Sequence, residues 1–533
     1  MKKFLLFAFL ISAFFSQAQV SLVKDIGNFA YQGIDPNQLI AYNGNLLFSA
    51  GPDQNNFSLW ISDGTETGTI SIKDLGNPFE KPGDFFYSNA LDLIFFKSYP
   101  TNPGGSRIWS TDGTTSGTVK LSNNLAFITN FEEFNSEVYF GATYNSSNQI
   151  LYKSDGTVSG TVAVNNSNIS LPVQDFKPHH YNDKLYFRAF EGVGIELYVS
   201  DGTLAGTLLL KDINPGSPSN SSNPNNFITF NDKLYFSAET NSNGRELWVS
   251  DGTTSGTLLV GDLNTGTDSS NPSNFIVFDN ELYFKADNGT TGIELFKMDT
   301  SENISLVLDI NPGPTGSNPS NLTIYNDRLY YSADNGSNGF EVWVTYNGAI
   351  IDRALNTFML KDINTSPSSP DSNPSYFTEY LGELFFVADD GVNGRELWKT
   401  DGTDVGTVLV NNINPSGDSN PQGLTVANNI LFFSANDGTT GIELWKYVDP
   451  SLSVNNLELE YSISLYPNPT TNSFTIKTNQ NIKNVIIYDI QGKEIKSLDG
   501  NLETYRIDEI ASGLYFVNIK TERGVLTKKI IKE

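Results

Sequence analysis

Cysteine is absent from this 533-residue chain, and its only two histidines are the neighbours His179 and His180. The lack of cysteine excludes disulfides, thiolate metal ligands, a cysteine nucleophile and a lipid-modified cysteine anchor. The scarcity of histidine leaves histidine-based catalysis almost without candidates. Adjacent histidines would point to opposite faces of a strand and make a poor metal site. We therefore expect His179 and His180 to lie in a solvated loop.

Basic residues are also few, with 33 Lys and Arg against 60 Asp and Glu and a formal net charge of -27. This balance excludes nucleic acid as a partner, because phosphate binding needs a basic surface. Aromatic residues make up 12% of the chain, which excludes wholesale disorder. No Walker loop, HExxH or GxSxG motif occurs, and no GxGxxG lies in a strand–helix context, so the sequence predicts no catalytic residue and no cofactor.

Long apolar runs are missing everywhere except at the start of the chain. Residues 1–18 contain a basic segment at Lys2 and Lys3, an apolar stretch from Leu5 to Phe15, and a small-x-small cleavage site that ends at Ala18. This pattern predicts a secretory signal peptide at 1–18. The alternative is a membrane anchor, but the apolar stretch is shorter than the ~20 residues that a spanning helix needs. We therefore expect an exported protein that does not span a membrane.

What the sequence does contain is a repeat with an average spacing of about 48 residues, in the range of propeller blades. Its best-formed copy, residues 225–263, has four short runs of β-branched and aromatic residues separated by turn residues, which predicts four strands. Three other aromatics, Tyr152, Tyr198 and Phe296, fill the slot that tryptophan fills elsewhere. All six tryptophans occupy this one position: Trp60, Trp109, Trp248, Trp343, Trp398 and Trp445.

The predicted strands are apolar on both faces, so each sheet needs a neighbour on each side. A ring of sheets supplies this, and we predict an all-β fold in which residues 19–450 form a large β-propeller of about eight or nine four-stranded blades. Residues 21–27 are similar to the fourth strand of later repeats, and the last repeat stops after its third strand at 443–447. The N-terminal strand is therefore predicted to close the ring. An open solenoid is the alternative.

Two segments, ELWVSDGTTSGTLLV (246–260) and ELWKTDGTDVGTVLV (396–410), resemble the ELWxxDGT-repeat family of bacterial surface proteins. The resemblance implies no defined activity. We interpret the aspartate of the Asp-Gly-Thr element as structural, because such an aspartate bonds backbone amides and the following glycine supplies a positive φ. These aspartates are Asp63, Asp112, Asp155, Asp201, Asp251 and Asp401.

The charge balance changes near residue 451, since residues 452–533 carry ten basic and ten acidic side chains. Short alternating strands predict a separate small β-sandwich at 451–533. This segment resembles the type A C-terminal sorting domain of the type IX secretion system of Bacteroidota, an immunoglobulin-like β-sandwich, and a generic immunoglobulin-like module is the alternative. The resemblance implies the type IX machinery as a partner and a secreted or outer-cell-surface location. The matching residues are Tyr466, Pro467, Asn468, Pro469, Gly492, Gly513, Tyr515, Lys528 and Lys529.

Loops rich in Asp, Asn and Gly precede the third strand of the later repeats. Their oxygen-bearing side chains suit Ca²⁺, although the same segments are ordinary turn sequences and lack EF-hand spacing. The calcium candidates are Asp287, Asp334, Asp389, Asp390 and Asp437. A glutamate stands two residues before the aromatic slot in six repeats, and we expect backbone hydrogen bonds rather than a metal there. These glutamates are Glu196, Glu246, Glu294, Glu341, Glu396 and Glu443.

Export, a repeated loop face and the lack of a catalytic motif together predict a non-enzymatic surface protein for adhesion or glycan binding. The alternative is a secreted carbohydrate-active enzyme with paired carboxylates at the propeller mouth. A third reading is a structural spacer without a ligand. An enzyme should show one polar cluster that breaks the repeat pattern and converges on a cleft.

Overall fold

A computed structural model describes residues 19–26, 36–51, 56–75, 80–99, 105–144, 148–164, 169–171, 176–217, 219–346, 356–368, 370–449, 464–478, 481–489, 493–500, 502, 504–521 and 525–533. The regular elements in these residues are all β-strands, which confirms the all-β prediction. None of the described segments forms a helix with the length and apolarity that crossing a membrane requires. The chain divides into a repeat unit, Val20–Lys446, and a C-terminal unit that contains Tyr447–Glu533. The predicted signal peptide, 1–18, lies outside the described residues.

Nine antiparallel sheets make up the repeat unit, as far as the structure describes it, and eight of them contain four strands. The first strand of the chain is β1 (Gln19–Lys24). The first sheet consists of β2 (Asn37–Tyr42), β3 (Asn45–Ala50), β4 (Ser58–Ser62) and β5 (Ile70–Asp74), and the second of β6 (Lys81–Ser88), β7 (Leu93–Tyr99), β8 (Arg107–Thr111) and β9 (Val119–Lys120). The third sheet has five strands, β10 (Leu125–Ala126), β11 (Glu132–Phe134), β12 (Glu137–Tyr144), β13 (Gln149–Ser154) and β14 (Val162–Ala163).

The fourth to sixth sheets follow the repeat closely. They consist of β15 (His179–Tyr181), β16 (Lys184–Phe190), β17 (Ile195–Ser200) and β18 (Leu208–Lys211); β19 (Asn225–Phe230), β20 (Lys233–Thr240), β21 (Gly244–Ser250) and β22 (Leu258–Gly261); and β23 (Ser273–Phe278), β24 (Glu281–Asp287), β25 (Ile293–Met298) and β26 (Ile304–Leu306).

The seventh to ninth sheets complete the repeat unit. They consist of β27 (Ser320–Tyr325), β28 (Arg328–Asp334), β29 (Phe340–Thr345) and β30 (Thr357–Lys361); β31 (Ser375–Tyr380), β32 (Glu383–Asp389), β33 (Arg395–Thr400) and β34 (Val408–Asn411); and β35 (Gln422–Ala427), β36 (Ile430–Asn436), β37 (Ile442–Val448) and β1.

Apolar packing between consecutive sheets forms the cores of the repeat unit. In β20, Leu234, Tyr235 and Phe236 are all buried although they alternate between the two faces. One face packs with Leu197 of the preceding sheet, while Tyr235 lies in the core shared with the following sheet. The aromatic slot lies in these interfaces: Trp109, Trp248, Trp343 and Trp398 are buried, and Trp60 and Trp445 are partly buried.

The two ends of the repeat unit meet in the ninth sheet. Strand β1 pairs with β37, so this sheet combines an N-terminal strand with three C-terminal ones. Val23 packs with Phe48 of the first sheet and Phe432 of the ninth. Between the same two sheets, Lys446 Nζ donates a hydrogen bond of 2.7 Å to the carbonyl oxygen of Gly64. The ninth sheet therefore packs against the first, so each of these two sheets has a neighbour at this junction.

A β-bulge opens the first strand of seven sheets among the described residues, and the bulged residue has a φ between 50° and 66°. We call this residue the bulge position. Asparagine tolerates this left-handed region, and in two sheets its amide bridges to the next sheet: Asn226 Nδ2 donates to the Pro272 carbonyl and Asn321 Nδ2 to the Pro374 carbonyl. The bulge positions are Gln38, Asp84, Asn226, Asn274, Asn321, Tyr376 and Gly423.

The C-terminal unit contains two sheets around one core. The smaller sheet consists of β38 (Ser464–Tyr466), β39 (Ser473–Lys477) and β42 (Tyr505–Arg506), and the larger of β41 (Glu494–Asp499), β40 (Ile482–Tyr488), β43 (Gly513–Thr521) and β44 (Val525–Lys532). Phe474 and Tyr505 of the smaller sheet pack with Val485, Val517 and Ile530 of the larger one. Two sheets that share a core in this way form a β-sandwich.

The packing predicts a large stability loss when an aromatic is removed from the slot. Trp398→Ala should lower the free energy of unfolding by about 3–5 kcal/mol, because a buried indole would leave a cavity between two sheets. Urea-induced unfolding of the full chain measures this loss. The control is Val405→Ala, whose side chain is 87% exposed and whose loss should stay within about 0.5 kcal/mol. Equal losses in the two variants would contradict the packing described here.

Candidate functional site

Two sets of loops leave the repeat unit at the same strand ends. In an antiparallel sheet with sequential strands, the loop from strand two to three and the loop from strand four to the next sheet share one edge. We call the set in the fourth to ninth sheets the loop face. It is formed by residues 191–194, 212–217, 219–224, 241–243, 262–272, 288–292, 307–319, 335–339, 362–368, 370–374, 390–394, 412–421 and 437–441.

In the fourth to eighth sheets, a buried glutamate near the start of the third strand holds the loop that leaves the fourth strand. Glu246 accepts hydrogen bonds from Leu263 N at 3.1 Å, from Ser270 N at 2.9 Å and from Ser270 Oγ at 2.5 Å. Both ends of one long loop are therefore bound to a single carboxylate. Backbone N–H groups and a serine also donate to Glu196, Glu294, Glu341 and Glu396. In the ninth sheet, the N–H of Ile26, two residues after β1, lies 3.5 Å from Glu443 Oε2.

These carboxylates are fully buried, with 0% exposure. Burial raises the pKa of Glu196, Glu246, Glu294 and Glu396, and the hydrogen bonds from serine and backbone N–H groups oppose this rise. The pKa of Glu341 reaches about 7, for the same reason. The donors are backbone N–H groups and serine hydroxyls, and the sequence analysis predicted the backbone donors.

Asparagine side chains close the same loops and join them to the next sheet. Asn364 Nδ2 donates to the Asp371 carbonyl of its own loop at 3.0 Å. Its Oδ1 lies 2.5 Å from the point that a Cβ on Gly391 would occupy, and Gly391 has a φ of +72°. Only glycine fits this contact, because any side chain would collide with the asparagine. Asn264, Asn311 and Asn414 make the equivalent contacts with Gly289, Gly336 and Gly438.

The five calcium candidates lie on or beside the loop face, in four different sheets. Each accepts hydrogen bonds from its own turn; Asp437 Oδ1, for example, accepts from Thr439 N at 2.8 Å and Thr440 N at 2.7 Å. The corresponding donors are Gly289 N for Asp287, Gly336 N for Asp334, Gly391 N for Asp389, and Val392 N and Asn393 N for Asp390. In the described part of the chain, no three His, Asp or Glu side chains are grouped so as to hold a metal ion. Calcium binding stays a prediction.

The Asp-Gly-Thr turns lie at the opposite strand ends. Asp251 Oδ1 accepts from Thr253 N at 2.9 Å and from Thr253 Oγ1 at 2.7 Å, and Gly252 has a φ of +90°. The same two hydrogen bonds form at Asp63, Asp112, Asp155, Asp201 and Asp401. Each of these side chains organises its own turn.

The two histidines lie in strand β15 and not in a solvated loop, so that expectation was wrong. His179 Nε2 is 3.0 Å from Thr229 Oγ1 in the next sheet, and burial lowers the pKa of His179 to about 4. Glu132 of the preceding sheet accepts a hydrogen bond from His180 N at 3.2 Å, and burial raises the pKa of Glu132 to about 7. The strand escaped sequence analysis because three polar or aromatic residues give no alternating pattern.

A pocket on the loop face breaks the repeat, and sequence analysis missed it. It has a volume of about 360 Å³ and lies beside the start of β31. Tyr376 stands at the bulge position where three other repeats have asparagine, its φ is +57°, and its side chain is 45% exposed. A bulky residue with this φ is a clear exception. We call this the Tyr376 pocket; its lining consists of Asn321, Ser375, Tyr376, Arg395, Asn420, Pro421 and Gln422.

Arg395 in this pocket differs from Arg245, its equivalent three sheets earlier. Arg245 Nη2 pairs with the Glu239 carboxylate at 3.2 Å. Both arginines donate to the carbonyl of an equivalent asparagine, Arg245 to Asn223 at 2.9 Å and Arg395 to Asn373 at 2.8 Å. Arg395 also donates to Ser375 Oγ at 2.6 Å, and it forms no ion pair among the residues described. Aligning the repeats at PSNF (272–275) and PSYF (374–377) could have revealed the tyrosine. The residues that line the pocket come from three consecutive sheets, so the sequence of one repeat does not reveal it.

In the C-terminal unit, the predicted sorting residues lie around the last strand. Asn468 Nδ2 donates to the Lys529 carbonyl at 2.8 Å, and Asn468 Oδ1 accepts from Ile531 N at 2.9 Å. Tyr515 is buried and donates to the Ala511 carbonyl. Tyr466, Pro467, Pro469, Gly513 and Lys529 are exposed, and Lys528 is partly exposed. Gly492 lies outside the described residues.

One known family matches the C-terminal unit. Residues 464–533 match the family model described as the secretion system C-terminal sorting domain. This confirms the sorting-domain prediction for these residues and supports secretion to the cell surface or the outside. No curated protein matches the chain.

Several solved structures are similar at low identity. A puromycin hydrolase is 12% identical with a TM-score of 0.37, and the match covers 66% of this chain and 58% of that one. Prolyl oligopeptidase B from Galerina marginata is 10% identical with a TM-score of 0.40, covering 68% and 56%. A puromycin-hydrolyzing peptidase from Mycobacterium tuberculosis is 8% identical with a TM-score of 0.38, covering 75% and 58%. The chain spans less than two thirds of each of these proteins, and the likeness decides nothing about activity.

The raised pKa of Glu341 predicts a pH dependence of stability. The carboxyl stays protonated in the folded state up to about pH 7, whereas in the unfolded chain it ionises near 4.5. Stability from this group is therefore greatest below pH 4.5 and falls as the pH rises to about 7, by roughly 3 kcal/mol. Glu341→Gln cannot ionise, so its free energy of unfolding relative to wild type should rise across this window. Urea titrations at several pH values measure the difference.

The control for this experiment is Glu66→Gln, which changes an exposed turn residue. Its stability should follow the wild-type pH curve. A Glu341→Gln curve that also stays parallel to wild type would show that this carboxyl does not titrate as described.

Proposed function

We propose that the chain is a secreted or cell-surface binding protein without enzymatic activity, and that its ligand is a glycan. Its repeat unit is, in this proposal, a nine-bladed β-propeller closed by the N-terminal strand. Nine sheets, of which the ninth contains both ends of the repeat unit, support this architecture. The sorting-domain match at 464–533 supports the location.

The observation that carries the binding proposal is the construction of the loop face. Its long loops are fixed by buried glutamates and closing asparagines, so a ligand would meet a surface that is already ordered. A preordered surface binds more tightly, because the ordering entropy is not lost at the moment of binding. Amide and hydroxyl groups dominate this face, and such groups suit the hydroxyls of a glycan.

The competing reading, a carbohydrate-active enzyme, needs paired carboxylates that converge on a cleft. The adjacent pair Glu132 and Glu133 diverges instead. Glu132 accepts from His180 N in the following sheet, while Glu133 accepts from Ser88 Oγ at 2.6 Å in the preceding one. These two carboxylates therefore connect neighbouring sheets and do not form a catalytic pair of this kind.

A glycan array probed with the labelled full chain tests the binding function. We expect saturable binding to a subset of glycans, and no release of reducing ends when the chain is incubated with the polysaccharides that contain them. An array without bound protein would contradict the binding function. Reducing ends released in proportion to protein concentration would favour the enzyme instead.

Residues 451–533 are proposed to direct translocation by the type IX secretion machinery. A cargo protein carrying residues 1–18 at its N-terminus and 451–533 at its C-terminus should reach the cell surface or the medium of a type IX-competent host. Fractionation and immunoblotting locate the cargo. The same cargo without residues 451–533 is the control and should remain in the periplasm. Periplasmic retention of both proteins would refute the sorting assignment.

A further inference from the structure

At the Tyr376 pocket, the bulge position holds a tyrosine, whereas three other sheets have an asparagine there. Asn226, Asn274 and Asn321 occupy the same bulge position with nearly the same φ as Tyr376. After glycine, asparagine is among the residues best suited to that backbone, and in two of these sheets its amide also bridges to the next sheet. Tyrosine is less suited to this φ, and it has no side-chain amide with which to form the bridge. A strained residue with an exposed aromatic ring beside a pocket indicates a functional role, since such strain clusters at binding sites.

The groups around the ring are suited to hydroxyls. The side-chain amides of Asn420 and Gln422 line the pocket, and within the described part of the chain they have no hydrogen-bond partner. An amide both donates and accepts, as a hydroxyl does. The guanidinium of Arg395 is fixed by the Asn373 carbonyl and Ser375 Oγ, which leaves further N–H donors of the same rigid fork.

The local charge argues against an anionic ligand. Asp389 lies opposite Arg395 in the register of β32 and β33, and Asp418 Oδ1 accepts from the backbone N of Arg395 at 2.9 Å. Both carboxylates interact electrostatically with the guanidinium, which is the single cation that lines the pocket. The whole chain also carries a formal net charge of -27, which repels polyanions at long range.

We propose that the Tyr376 pocket binds one neutral pyranose ring of a glycan. The C–H face of the sugar stacks on the exposed Tyr376 ring, because partly positive C–H hydrogens are attracted to the negative face of an aromatic ring. The hydroxyls at the edge of the sugar hydrogen-bond to Asn420, Gln422 and Arg395. This inference rests on the proposed glycan-binding function and assigns it to one position on the loop face.

Isothermal titration calorimetry of the full chain tests the assignment. The probes are cellohexaose, maltohexaose, xylohexaose and chitohexaose, with polygalacturonate as the anionic probe. Tyr376→Asn restores the residue that other repeats have at this position, so it should fold with an unchanged or higher melting temperature. It should bind the recognised hexasaccharide at least about tenfold more weakly. Tyr376→Phe keeps the ring and should retain most of the affinity. Asn274→Ala, at the bulge position two sheets earlier, is the matched control and should bind like wild type.

The outcomes separate this inference from the function on which it rests. If wild type binds a hexasaccharide and Tyr376→Asn binds it equally well, the assignment to this pocket is wrong and the binding function stands. Binding of polygalacturonate alone, or of none of these probes by a protein that binds other glycans on the array, would overturn the neutral pyranose. An array without bound protein would overturn both.

Discussion

A fully buried carboxylate is the constraint on which the loop face depends. Burying such a group costs several kcal/mol unless hydrogen bonds compensate. In the fourth to eighth sheets, a glutamate at the start of the third strand is compensated by the N–H groups and the serine hydroxyl of the long loop beside it. The loop satisfies the carboxylate, and the carboxylate in turn fixes the loop. The glutamate thereby converts polar, glycine-rich segments into ordered structure.

The packing of the sheets also keeps the loop face ordered. Each sheet is apolar on both faces, so it is stable only between two neighbours, and aromatic residues such as Trp398 fill the interfaces. Contacts such as that between Asn364 and Gly391 then connect the loops of adjacent sheets. Against so regular a background, a single substitution at a repeated position changes the surface without changing the fold. Tyr376 is such a substitution, and it lines a pocket at the position where Asn226 and Asn321 bridge to the next sheet.

Sequence alone predicts much of this because repetition amplifies weak signals. Nine aromatic slots and six Asp-Gly-Thr turns define the strands and their order, and the hydrogen-bonding role of Glu246 and its equivalents follows from the cost of a buried charge. The strand at His179 has no such support, since it is short and polar. The pocket could not be predicted for another reason. Asn321, Arg395 and Asn420 are far apart in sequence, and the bulge that turns Tyr376 outward depends on strand register, which local sequence does not encode.

Amide hydrogen exchange tests the central claim, that buried glutamates fix the loop face, most directly. The N–H groups of Ser222 and Ser270 lie in long loops but donate to Glu196 and Glu246. The account predicts that these amides exchange as slowly as those in the strands of the same sheets, because they open only when the sheet itself opens. Exchange at the rate of an unprotected peptide would contradict it.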